Sequence, residues 1–219
     1  MNRITSESLE DARASLLAAL AHDIADRRVL EAMGNLPREE FAGTDAAPVA
    51  YDNRPLPIGH GQTISQPLMV ALMTQALMLT GDEKVLEVGT GSGYQAALIS
   101  LLAAQVVSVE RVPELATSAS ERLERLGYGN VEVHETSDEL GWPAGAPYDG
   151  IIVTAASPNV PRALLGQLAM NGRLVLPVGG RDIQELVRIV KTPEGAKRHN
   201  LGSCRFVPLL GHGAWPEKG

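Results

Sequence analysis

The chain has 219 residues, 44% of them hydrophobic and 21% charged, a size and balance suited to one α/β unit with a sizeable core. A formal net charge of −7 argues against a general partner for nucleic acid or for anionic membranes, because either surface would be repelled overall. Cys204 is the only cysteine and the five histidines lack the spacing of a metal-binding helix, so disulfides and a four-cysteine zinc site are excluded and no metal is expected.

Residues 6–34 place Leu9, Leu16, Leu17, Leu20 and Ile24, then Val29, Leu30 and Met33, on one apolar stripe, which predicts a helical segment ending at Gly34-Asn35. Neither this start nor any later run has the apolar length of a signal peptide or a spanning helix, so the chain reads as cytoplasmic and not membrane-bound. Pro37 opens a short turn through Phe41. Residues 42–67 contain Pro48, Pro55, Pro57, Gly59, Gly61 and Pro67, which forbid a long helix or a central strand; an ordered, functional loop is expected there.

A Met-rich apolar helix follows at 68–79. Then come strand 84–88, helix 93–104, strand 106–110, helix 113–126 and strand 131–134. Strand 148–154, helix 161–168 and strands 172–177, 184–191 and 203–209 complete the order. Alternating strands and helices predict an α/β fold of the Rossmann-like kind, a mostly parallel seven-stranded sheet covered on both faces. The last two strands follow without a helix between them and form an antiparallel edge pair. The expected organisation is a single domain over 1–219, with N-terminal helices and a loop over 1–67 and the sheet core over 68–219.

The sharpest local signal is Val85-Leu86-Glu87-Val88-Gly89-Thr90-Gly91-Ser92-Gly93, a buried strand running into a glycine turn and a helix. Gly89 and Gly91 permit positive φ and leave room for a ligand, and Gly93 lets the helix pack closely. Dinucleotides and S-adenosylmethionine both use the crevice at such strand tips. Two features favour S-adenosylmethionine as the cofactor. The spacing is Gly-x-Gly-x-Gly, and Glu87, two positions before the first glycine, would repel a pyrophosphate but could accept from an ammonium. Glu110 ends the next strand 17 residues past Gly93, near the spacing for a carboxylate on both ribose hydroxyls.

Residues 50–67, Ala50-Tyr51-Asp52-Asn53-Arg54-Pro55-Leu56-Pro57-Ile58-Gly59-His60-Gly61-Gln62-Thr63-Ile64-Ser65-Gln66-Pro67, resemble the signature loop of the protein-L-isoaspartate O-methyltransferases. Gly141-Trp142, residues 146–156, residues 172–179 and Phe206-Val207-Pro208-Leu209 match that family in order, so the resemblance covers about residues 10–210. It implies methyl transfer from S-adenosylmethionine to the carboxylate of isoaspartyl residues in damaged proteins or peptides, by a protein that is expected to be a monomer. A paralogue acting on a dedicated peptide or small acid is the alternative.

The resemblance also implies roles. Ser65 and Thr63 would serve catalysis; Ile64, Glu87, Gly89, Thr90, Gly91, Ser92 and Glu110 would hold the cofactor; Ile58, Val153, Thr154 and Ala155 would face the acceptor. Gln184, in the family's Gln-x-Leu position, would reach the cofactor or the lid. One departure concerns the adenine end. Where the family carries Gly-Asp-Gly this chain has Thr136-Ser137-Asp138, so Ser137 replaces the Asp unless a one-residue shift brings Asp138 into its place. Another is Phe41-Ala42-Gly43 in place of Phe-Val-Pro, which alters the expected wall against a peptide. From local residues alone, Ser65 reads equally well as a cap for the helix starting near Gln66-Pro67.

Overall fold

The computed structural model describes residues 6–136, 139–211 and 214–215. Its N-terminal part holds two helices, α1 (Ser6–Leu20) and α2 (Arg27–Asn35), rather than the continuous helical segment expected over 6–34. The break has a local cause. Asp26 caps α2 by accepting from the Arg28 amide at 3.0 Å. The freed amides of Ala25 and Asp26 both donate to Gln75 Oε1, at 2.7 and 2.8 Å. A residue 49 positions away thus makes the interruption stable.

The expected loop over 42–67 contains regular structure. Strands β1 (Leu56–Gly59) and β2 (Gln62–Ile64) form an antiparallel ribbon pairing Leu56 with Ile64 and Pro57 with Thr63. A two-stranded ribbon tolerates Pro57 because only one of its edges needs donors. Gly59, His60 and Gly61 turn the ribbon with φ of 88°, 51° and 69°, left-handed backbone that glycine adopts freely.

Helix α3 (Pro67–Leu77) leads into the main sheet. Its members are β3 (Lys84–Val88), β4 (Gln105–Glu110), β5 (Val131–Glu135), β6 (Tyr148–Val153), β7 (Leu168–Gly179), β8 (Gln184–Thr192) and β9 (Gly195–Cys204). The spatial order is β5-β4-β3-β6-β7-β8-β9, parallel as far as β7 and antiparallel beyond it. Helices α4 (Tyr94–Ser100), α5 (Pro113–Arg125) and α6 (Arg162–Gln167) make the crossovers. The strands alternate between two cores. Val85, Val106, Ile152 and Val175 pack with α3, α4 and the N-terminal helices, while Leu86, Val107, Ile151 and Leu174 pack with α6 and its surroundings.

The last strand lies earlier than the expected 203–209. β9 is almost wholly exposed and carries Lys197, Arg198, His199 and Asn200, so it has no apolar period to read. Residues 206–209 instead form a strap beside Ala156, whose amide donates to Val207 O and whose carbonyl accepts from Leu209 N, both at 2.7 Å. The strand order reverses between β3 and β6, and the crevice of an open α/β sheet lies at such a switch point.

Candidate functional site

At the carboxyl tips of β3, β4 and β6 lies a cleft of about 1070 Å³, mouth included, which is room for a nucleoside-sized ligand rather than an ion. Glu87, the penultimate residue of β3, borders it with no exposed surface of its own. Its Oε2 accepts from Ser108 Oγ at 2.5 Å, and Ser108 Oγ lies 2.6 Å from Thr90 Oγ1. Ser108 spends its one proton on Glu87, so Thr90 must donate to Ser108. Glu87 Oε1 has no partner. Burial first, and the nearby Glu110 charge second, push the Glu87 carboxyl up to about 8 against the opposing pull of Ser108.

Glu110 stands at the end of β4 under backbone control. Oε2 accepts from Gly91 N at 2.8 Å, and Oε1 from Arg111 N and Val112 N at 2.9 and 3.0 Å. Each carboxylate oxygen can accept more than one bond, so capacity remains for hydroxyl donors in the cleft. The glycine turn is shaped by its neighbours. Gly89 has φ of 99°, and a Cβ there would come within 2.4 Å of Thr154 Oγ1, which donates to Gly89 O at 2.7 Å. The residue must therefore be Gly to admit Thr154, whether or not a ligand is bound. A Cβ on Gly93 would meet Ala119 and Leu123, so this glycine makes room for α5 rather than for the strand.

On the opposite wall, β2 and the residue after it present Thr63, Ile64 and Ser65. Ile64 is buried, Ser65 is half-buried and Thr63 is exposed at the rim. Helix α3 starts at Pro67 with Gln66 as its cap residue, which leaves Ser65 outside the cap and its hydroxyl free of that duty. Thr154 and Ala155 extend β6 into the floor.

One cleft therefore gathers Thr63, Ile64, Ser65, Glu87, Gly89, Thr90, Gly91, Ser92, Glu110, Thr154 and Ala155. Three expected residues fall elsewhere. Ile58 lines a separate hollow between the ribbon and α5, touching the glycine turn from behind. Val153 is fully buried in the core beneath the floor. Gln184 does not border the cleft: its Nε2 donates to Gly180 O at 2.5 Å and its Oε1 accepts from Phe206 N at 2.9 Å, which ties the 180–183 turn to the strap. Ser137 and Asp138 lie outside the described residues; Thr136, Glu139, Leu140 and Gly141 on either side of them line the cleft, and Thr136 Oγ1 donates to Glu139 O at 2.8 Å.

Sequence reasoning missed several lining residues. Tyr94 and Gln95 begin α4 directly after the glycine turn, a position that points back at the strand tips and was readable from the motif. Val70 on α3 and residues 210–211 had no local signal, and Val207, Pro208 and Leu209 matched the family without pointing to the cleft, because only the packed arrangement brings them there.

The sheet order, the glycine turn at the switch point and the two acidic strand ends are those of a Rossmann-like, S-adenosylmethionine-dependent methyltransferase. A solved protein-L-isoaspartate O-methyltransferase superposes with a TM-score of 0.81 at 28% identity, over 92% of this chain and 67% of that one. A Plasmodium falciparum structure of the same family name, in complex with S-adenosyl-L-homocysteine, gives 0.74 at 26% identity over 88% of this chain and 95% of its own. The family model for protein-L-isoaspartate(D-aspartate) O-methyltransferase matches residues 12–214, and the chain belongs to that family. Protein-L-isoaspartate O-methyltransferase 1 of Syntrophobacter fumaroxidans is 54% identical over 196 residues, 90% of this chain and 92% of the relative. A second relative, from Marinobacter nauticus, is 48% identical over 214 residues, 96% of this chain and 98% of its own length.

Proposed function

We propose that the protein is a carboxyl O-methyltransferase that moves a methyl group from S-adenosylmethionine to the carboxylate of isoaspartyl residues in damaged proteins and peptides. The observation that carries this reading is the pairing of two unlike walls across one cleft. One wall offers Glu87 Oε1, a buried carboxyl oxygen with no hydrogen-bond partner; the other offers the hydroxyl-bearing run Thr63-Ile64-Ser65.

The chain's residues fit the cofactor. An orphaned carboxylate oxygen in a closed site calls for a donor, and the ammonium of a methionine moiety supplies one, directly or through a water. Glu110, pinned by three backbone amides, is set to accept from ribose hydroxyls. Thr136 and Leu140 line the cleft beside the positions where the family meets the adenine, and would border that base. When bound, S-adenosylmethionine supplies an electrophilic methyl group on a positively charged sulfur.

The acceptor is a carboxylate, ionised at neutral pH because carboxylic acids titrate near 4, so the chain need not provide a general base. What the chain must do is hold one carboxylate oxygen in line and exclude water. Ser65 Oγ is suited to the first of these, since a hydroxyl orients a carboxylate by donating to it without protonating it. Residues 62–65, from β2 onward, and residues 207–211, from the strap and the stretch after it, line the cleft.

Radiolabelled methyl transfer to an isoaspartyl peptide, set against the same peptide with normal aspartate, tests the reading. Transfer to the isoaspartyl form alone is expected, and Ser65→Ala should lower turnover while leaving affinity for S-adenosylhomocysteine within about threefold. Equal methylation of both peptides would sink the acceptor assignment. The reading includes one catalytic domain over 1–219, with 1–67 furnishing the acceptor-side loop and 68–219 the cofactor core. It also includes a monomeric state and a cytoplasmic location, the first open to sedimentation equilibrium and the second to fractionation.

A further inference from the structure

We propose that Arg38 is a positioning residue for methyl transfer, a buried guanidinium that staples the neck of the loop bearing Thr63, Ile64 and Ser65; the inference rests on the function proposed above. Arg38 opens the 3-10 turn Arg38–Glu40 and has no exposed surface. Its Nε donates to Ala50 O at 2.7 Å and its Nη2 to Ser65 O at 2.8 Å. Those two carbonyls bracket the β1–β2 ribbon, so one planar side chain ties both ends of the segment from inside, while Asn53 ties the neck from outside by accepting from Gln66 Nε2 at 3.0 Å and from Leu68 N at 3.1 Å. The face of the same guanidinium lies 4.8 Å from the centre of the Tyr94 ring, which lines the cleft.

The turn that presents Arg38 is held on both sides. Glu39 accepts from Tyr51 OH at 2.5 Å and from Arg13 at 3.3 Å, and Glu40 pairs with Arg125 of α5 at 2.9 Å. Arg38 is thereby anchored to the body of the protein and not merely to the loop it closes.

Stability alone does not account for a cation here. Among the described residues no carboxylate lies within ion-pair distance of Arg38, Nη1 has no hydrogen-bond partner, and burial pushes the guanidinium pKa below its ordinary value. A buried charge whose partners are two carbonyls and one ring face is costly, and an apolar side chain would avoid that charge only by leaving the Ala50 and Ser65 carbonyls without these donors. What arginine uniquely supplies is a rigid fork that reaches two carbonyls at once while stacking on a ring. Lysine, a point donor, spans one carbonyl but not both. The uncompensated charge also sits directly behind Ser65 and Tyr94, where it favours an anionic acceptor.

The test uses the full chain and two variants, Arg38→Met and Arg38→Lys. Both should bind S-adenosylhomocysteine within about threefold of wild type by calorimetry, because Glu87 and Glu110 stand on the other wall. Methyl transfer to an isoaspartyl peptide should show kcat lowered by about tenfold to a hundredfold in Arg38→Met, the cost of an ångström-scale misplacement, with partial recovery in Arg38→Lys. Hydrogen exchange should quicken at residues 56–66 in both variants while β3 keeps its protection. Unchanged kcat in a folded Arg38→Lys overturns the proposal even if Arg38→Met fails to fold. Parallel loss of cofactor affinity and turnover also overturns it, since that pattern means a general packing role. If the wild-type protein itself left the isoaspartyl peptide unmethylated, the functional reading rather than the role of Arg38 would be at fault.

Discussion

Replacing Glu87 with Gln should make the ligand-free protein more stable at alkaline pH and weaken its hold on the cofactor product. Glu87 is fully buried with its carboxyl raised from 4.5 to about 8. A carboxyl raised on folding stabilises fully below the unfolded value, and that stability is lost as pH climbs through the folded value. At pH 7 the unfolded chain ionises Glu87 freely while the folded chain holds it protonated, a penalty of about 3 kcal/mol that deepens toward pH 8. Gln escapes this penalty but exchanges the orphaned Oε1 for an orphaned N–H, which returns about 1–3 kcal/mol. The net gain of about 0–2 kcal/mol at pH 7, larger at pH 8, corresponds to a rise in Tm of up to about 8 °C for a chain of this size. Affinity for S-adenosylhomocysteine should fall by about tenfold to a hundredfold with the loss of one charge-assisted bond. Thermal melts of both proteins from pH 4.5 to 8.5, with calorimetry at pH 7.5, decide the matter. The advantage of Gln should shrink and reverse toward the acid end, where wild-type Glu87 is protonated in both states. A Gln variant that melts below wild type at pH 8, or binds the product as tightly, refutes the reasoning.

Three further outcomes follow from the site. Because an ammonium partner requires Glu87 ionised, binding of S-adenosylhomocysteine at pH 6.5 should release close to one proton, visible as a dependence of the measured heat on buffer ionisation enthalpy and absent in Glu87→Gln. Gly89→Ala should lose about 2–4 kcal/mol of stability, since φ of 99° strains any side chain and its Cβ would meet Thr154 Oγ1 at 2.4 Å. Adding Thr154→Ala should recover only the clash, and full recovery in denaturant melts would show that the backbone strain was misjudged. Gln184→Ala should cost about 1–3 kcal/mol through two lost buried bonds while cofactor-product affinity stays level, so a large drop in that affinity would return Gln184 to the cleft.

The parts of the site that lie on one continuous segment were legible in the amino-acid order. Glu87, Gly89, Thr90, Gly91 and Ser92 belong to a strand–turn–helix unit whose geometry is local, so their meeting needs no distant partner. Glu110 was readable by spacing because β4 must run parallel to β3 after a short crossover. Gln184 and Ile58 were placed by resemblance alone, and packing put both outside the cleft. The strap was mistaken for a strand because Phe206-Val207-Pro208-Leu209 is apolar and extended, properties it shares with a true strand.

The amino-acid order by itself determined the α/β class, the parallel core, the antiparallel edge and the carboxylates at the strand tips. These follow from periodicity and turn chemistry, which act over a few residues at a time. Only the tertiary structure decided that Gln75 splits the first helical segment, that Arg38 joins Ala50 to Ser65, and that Ser108 leaves one oxygen of Glu87 without a donor. Each depends on side chains far apart in the chain meeting in a space that water has left, and burial of that kind exists only once the whole core has closed.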